Sequence, residues 1–123
     1  MKITISDDRE IAAIQDEFNQ VFPYLRLEFF STVHKTGAPS AKKQMKSSAK
    51  TLGECRTLQN DGTINITPGM TVGDLENEFG EVYGLGVQVF RKSGKVWLET
   101  TLTDSWTLEH QNNQGEELSN IRN

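Results

Sequence analysis

The chain of 123 residues holds one cysteine, three prolines and two histidines, and each scarcity removes a class of explanation. A lone thiol, Cys55, forms no intramolecular disulfide, so a small secreted framework held by crossed bridges is excluded. His34 and His110 stand far apart with no ligand-spaced neighbours, so neither a zinc pattern nor any other metal site is expected. No run approaches the roughly 20 apolar residues of a membrane span. Asp7, Asp8, Arg9 and Glu10 interrupt any leader-like stretch near the start. The expectation is a cytoplasmic chain of one domain, with no membrane contact and no cofactor.

Charge is scarce in one region and dense in another. The net charge is −4, yet residues 32–60 carry Lys35, Lys42, Lys43, Lys46, Lys50 and Arg56 against Glu54 alone, a balance of +5 that leaves −9 elsewhere. The stretch 32–50 has no apolar period and reads as a basic loop. Residues 51–59 fit either a short helical turn, from Thr51 with Glu54, or a strand.

What is present is an internal correspondence. Ile3-Thr4-Ile5-Ser6 matches Ile64-Asn65-Ile66-Thr67, each alternating apolar with polar as a half-buried strand does. Amphipathic segments follow, with Ile11, Ile14, Phe18 and Val21 in one and Val72, Leu75, Phe79 and Val82 in the other. Steps of three, four and three place four side chains on one helical face. Asp7 or Asp8 is expected to cap the first helix and Thr71, with Asp74, the second. Pro23 and Gly84 end them. Leu25, Leu27 and Phe29 then alternate in one copy, Leu85, Val87 and Val89 in the other. The offset is 61 residues through the helices and 60 through these strands.

A hairpin follows the second copy. A two-residue Ser93-Gly94 loop would set Phe90 opposite Trp97 and Val89 opposite Leu98. The tail from Ser105 is expected to be helical, anchored by Trp106 and Leu108, capped by Asp104 or Ser105 and weakened by Gln111 to Gly115. The fold expected is α+β: a ferredoxin-like two-layer sandwich from two β-α-β repeats (2–31 and 63–92), with the basic loop between them, an added hairpin strand and a terminal helix (95–123). A β-grasp-like arrangement, which would suit the start of the second helix at Thr71-Val72-Gly73-Asp74-Leu75, is the alternative.

Candidate chemistry is thin. Clustered carboxylates on both helices lie off the apolar stripes, and the glycines after the second helix do not open a phosphate loop. No catalytic residue emerges. Two surfaces do: outward positions Phe30, Phe90 and Trp97 on one sheet face, and Lys42, Lys43 and Lys46 in the basic loop. The first points to self-association through that face or an exposed strand edge. Together the two would suit nucleic acid or an acidic partner. A third reading is an enzyme using Cys55, whose thiol the adjacent Arg56 would acidify.

Val87-Gln88-Val89-Phe90-Arg91-Lys92-Ser93-Gly94, running on through Val96-Trp97-Leu98-Glu99-Thr100-Thr101, Thr103-Asp104 and Trp106-Thr107-Leu108, resembles a group of short uncharacterised bacterial proteins over most of the chain. The resemblance implies a bacterial, cytosolic origin. It implies no activity and transfers no functional residue.

Overall fold

A computed structural model describes residues 1–30 and 46–120. The elements run β1 (Lys2–Ile5), α1 (Ile11–Val21), β2 (Leu25–Phe30), α2 (Leu52–Cys55), β3 (Gly62–Asn65), α3 (Val72–Tyr83), β4 (Gly86–Ser93), β5 (Val96–Glu99) and α4 (Leu108–Ser119), with a 3-10 turn at Thr101–Thr103 before α4. The class is α+β. Pairing does not place the strands in one sheet of ferredoxin-like order: β1 pairs with β3, and β2-β4-β5 form a second antiparallel sheet. Strand length gives a reason. β1 and β3 have four residues each, β2 six and β4 eight, so pairing long with long satisfies more backbone groups.

In both sheets, matching positions of the two halves face one another. Ile3 lies opposite Ile64, and Glu28 opposite Gln88. One apolar core joins both sheets and the helices, from Ile3, Ile5, Ile64 and Ile66 through Phe18 and Phe79 to Leu27 and Val89. Phe29 meets Phe79 edge-on at 5.8 Å between ring centroids.

Helix stripes end on a different residue from the one expected. Val21 and Val82 are 45% and 44% exposed, whereas Phe22 and Tyr83 are buried. At 3.6 residues per turn both candidates lie about 50° from the stripe's mean direction. The larger aromatic then gains more by burial.

The helix starts also differ in kind. Thr71 accepts the Asp74 N–H as expected, but α1 begins at Glu10 with no side-chain cap. Its first N–H groups go to backbone instead: Ile11 donates to the Lys50 carbonyl at 2.9 Å and Ala12 to that of Ser48 at 3.0 Å. Returning bonds run from Leu52 to the Arg9 carbonyl and from Gly53 to that of Asp7. The same four bonds join α3 to α4: Val72 to Trp106, Gly73 to Asp104, Leu108 to Met70, and Glu109 to Pro68. Arg9 and Asp7 correspond to Met70 and Pro68 at the 61-residue offset. The short helical turn is α2, closed by a Thr51 and Glu54 capping box.

Thr107, not Asp104 or Ser105, caps α4. The polar run expected to weaken this helix is its packing face. Gln111 is fully buried, donating to the Thr103 carbonyl at 2.8 Å and accepting from Arg91 at 2.9 Å. Asn112 accepts the Tyr24 N–H, and Gly115 lets the helix close on Tyr24.

The hairpin turns one residue later than expected. Ser93 pairs with Val96, leaving Gly94-Lys95 as the loop, with Gly94 at φ 62°. That is the positive φ a type II′ turn requires at its first position, which glycine adopts without steric cost. Trp97 therefore faces Lys92, and Phe90 faces Glu99.

Candidate functional site

The two edges of the larger sheet are handled differently. Along β2 the outward carbonyls are those of Leu25, Leu27 and Phe29. Asn19 donates to the first at 3.1 Å, Gln15 to the second at 2.7 Å, and the Lys46 N–H to the third at 2.7 Å. Gln15 and Asn19 lie one turn apart on α1, so a single helix face closes most of that edge.

β5 forms the opposite edge. Thr100 donates to the Val89 carbonyl, which fixes the alternation: even-numbered residues of β5 turn their backbone groups toward β4, and Lys95, Trp97 and Glu99 turn theirs outward. Among the described residues no donor or acceptor meets those outward groups. The side chains beside them are apolar and open, with Val96 55% and Leu98 46% exposed and Leu102 in the following turn 96% exposed.

Beyond Thr100 the edge is closed from inside. Glu76, 7% exposed on α3, accepts the Val89 N–H at 3.1 Å. Next to it Gln88 is fully buried and donates to the Val89 carbonyl, while its own side-chain oxygen has no partner among the described residues.

The residues singled out from the sequence do not gather in one place. Phe30 is 2% exposed, and Phe90 and Trp97 are half-buried. Trp106 lies over Arg91 on the helix side of the sheet, at 5.6 Å, so it does not cover the outward face. Lys42, Lys43 and His34 lie outside the described residues, and Lys46 serves the β2 edge through its backbone.

Trp97 instead meets Arg26, whose guanidinium stands 5.4 Å from the indole centroid while its Nε pairs with Glu28 at 2.9 Å. These two residues, with Gln15, Asp16 and Asn19 of α1, line an open groove of ≈ 280 Å³. Gln15, Asn19 and Arg26 escaped the sequence reading because an exposed polar helix face carries no signal of what lies opposite it. Val96 and Leu98 did alternate in the sequence, but periodicity alone does not show which side of a hairpin strand is unpaired.

The reactive-thiol reading lacks its cause. Cys55 is buried, and burial pushes its thiol up, away from the thiolate a nucleophile needs. Arg56 points elsewhere. Its side chain is 1% exposed and bonds Asp7 at 2.6 Å, Asp61 at 2.7 Å and the Asn60 carbonyl at 2.6 Å. Burial works to lower its pKa, but the Asp61 hydrogen bond and the charges of Asp7 and Asp61 outweigh it and raise the pKa above the usual arginine value. Among the described residues no three His, Cys, Asp or Glu side chains converge as metal ligands, and no helix is long and apolar enough to cross a membrane.

Compared with protein-family models, curated proteins and solved structures, the chain finds no match.

Proposed function

We propose that this chain is a non-enzymatic assembly module that pairs with a second copy of itself through β5. The observation that carries the reading is the contrast between the edges, one closed by Gln15, Asn19 and Lys46 and the other, among the described residues, left open beside exposed Val96 and Leu98. Long-lived soluble proteins blunt such edges with charges or prolines unless the edge is used.

The alternation along β5 limits the possible registers, and charge chooses among them. Outward-facing residues must pair with outward-facing residues, and of the registers this allows, the one with Trp97 opposite Trp97 of the second copy on a two-fold axis also brings opposite charges together. Lys95 then meets Glu99, and Val96 meets Leu98, each twice. Opposite charges face one another and the exposed apolar side chains cover one another, a self-complementary pattern that suits a two-fold dimer. The result is a six-stranded antiparallel sheet.

The internal correspondence supports the same habit of assembly. In this reading the chain is a duplicated unit that extends past strand–helix–strand to include α2 in one copy and α4 in the other. Its halves already pair about a pseudo-two-fold axis through Ile3 with Ile64 and Glu28 with Gln88.

Sedimentation equilibrium over a micromolar concentration series tests the proposal. The expected result is twice the chain mass at high concentration, lost in Leu98→Lys, which places a charge among desolvated apolar groups, and kept in Leu102→Lys, which lies outside the paired strand. A wild-type chain that stays monomeric throughout, or a Leu98→Lys variant that associates like wild type, overturns it.

A further inference from the structure

We infer that the groove between α1 and the outward sheet face is a binding site for a neutral polyhydroxylated ligand, of which a single pyranose ring is the representative. Its walls are Gln15, Asp16 and Asn19 from α1, Arg26 from β2 and Trp97 from β5. Each supplies a different part of the chemistry a sugar needs.

The amides of Gln15 and Asn19 already use N–H groups on the Leu27 and Leu25 carbonyls. Their orientation is therefore set by the fold, and their oxygens remain as acceptors held in place before any ligand arrives. Asp16 adds an exposed carboxylate one residue along. Arg26 is anchored at Nε by Glu28, which leaves its terminal nitrogens as donors. A hydroxyl both donates and accepts, so one ring with several hydroxyls satisfies both sets at once.

Charge disfavours a simple ion of either sign. An anion would approach Arg26 but meet Asp16 and Glu28, and a cation would meet Arg26 directly. A neutral polyol meets neither penalty. The part of the Trp97 indole that Arg26, 5.4 Å from its centroid, does not cover supplies the apolar surface that distinguishes a ring from a bare polyol, because the C–H face of a pyranose packs on an indole as an apolar body does. The volume of ≈ 280 Å³ falls just below the about 300–1,000 Å³ of drug-sized sites. It has room for one ring.

This site belongs to one chain and does not depend on pairing through β5. The chain has two tryptophans, so Trp106→Phe leaves Trp97 as the only indole reporter. In that background, titration with glucose, galactose, mannose and N-acetylglucosamine is expected to shift Trp97 emission with a Kd on the order of 1 mM for at least one sugar. Glycerol and sodium phosphate are expected to give no shift. Asp16→Ala is expected to weaken the response about tenfold or more without changing the sedimentation mass, and Leu98→Lys is expected to leave it intact. No response to any sugar, an equal response to phosphate or glycerol, or an Asp16→Ala variant that responds like the parent overturns the assignment. So does loss of the response in Leu98→Lys.

Discussion

Glu28 shows how one side chain takes its character from its neighbours. It sits half-buried on β2 beside Arg26 and Gln15, and desolvation raises its pKa more than those two partners lower it. A carboxyl whose folded pKa lies above the unfolded value binds its proton more tightly when folded. Its ionised form is thus the penalised one, and stability rises as pH falls through the folded pKa toward the unfolded one. Glu28→Gln is expected to raise the melting temperature slightly at pH 7, by less than about 4 °C given the partial exposure, and to flatten that rise on acidification. Thermal melts between pH 4 and pH 7 read both effects, and a lower melting temperature at pH 7 would show that the Arg26 ion pair dominates. Arg56 carries the complementary lesson. The sequence places it beside Cys55, but the fold turns it to Asp7 and Asp61, where it ties the end of β1 to the approach of β3.

Among the elements, α3 illustrates how much a stop signal can fix. Gly84 takes φ 65° and donates to the Gly80 carbonyl at 3.1 Å, the left-handed closing residue expected after Tyr83. A Cβ there would meet the Leu58 nitrogen at 2.5 Å and the Thr57 hydroxyl at 2.6 Å. Gly84→Ala is therefore expected to cost about 1–2 kcal/mol from the left-handed backbone, and more once the clash is counted, and urea unfolding measures it. A loss of no more than about 2 kcal/mol would mean the 57–58 segment yields easily. α4 was harder to foresee. Glutamine, asparagine and glycine are poor advertisements for a packed helix, yet each finds a backbone group or the Tyr24 Cβ that only this tertiary arrangement provides.

At the scale of the whole molecule, assembly follows from how edges are closed. If Gln15 and Asn19 guard β2, their removal should open a second edge. The Gln15→Leu, Asn19→Leu double variant is expected to form species larger than a dimer, because each chain would then offer two strand edges and no closed symmetry limits growth. Size-exclusion chromatography with light scattering distinguishes this from simple unfolding, provided circular dichroism stays native. An unchanged mass would show that Lys46 alone suffices to keep that edge closed.

The sequence by itself determined the local events, because each depends on neighbours a few residues away. The alternating strands, the apolar stripes through Phe18 and Phe79, the Thr71 cap, the Gly84 stop and the α+β class were all legible there. Tertiary structure decided what depends on distant partners. It chose β4 rather than β3 for β2, Phe22 and Tyr83 over Val21 and Val82, and Gly94-Lys95 over Ser93-Gly94. It also supplied the backbone bonds that start α1 and α3, and among the described residues it left β5 as the open edge. An unpaired edge is a property of what is not beside a strand, and no pattern within the strand records that.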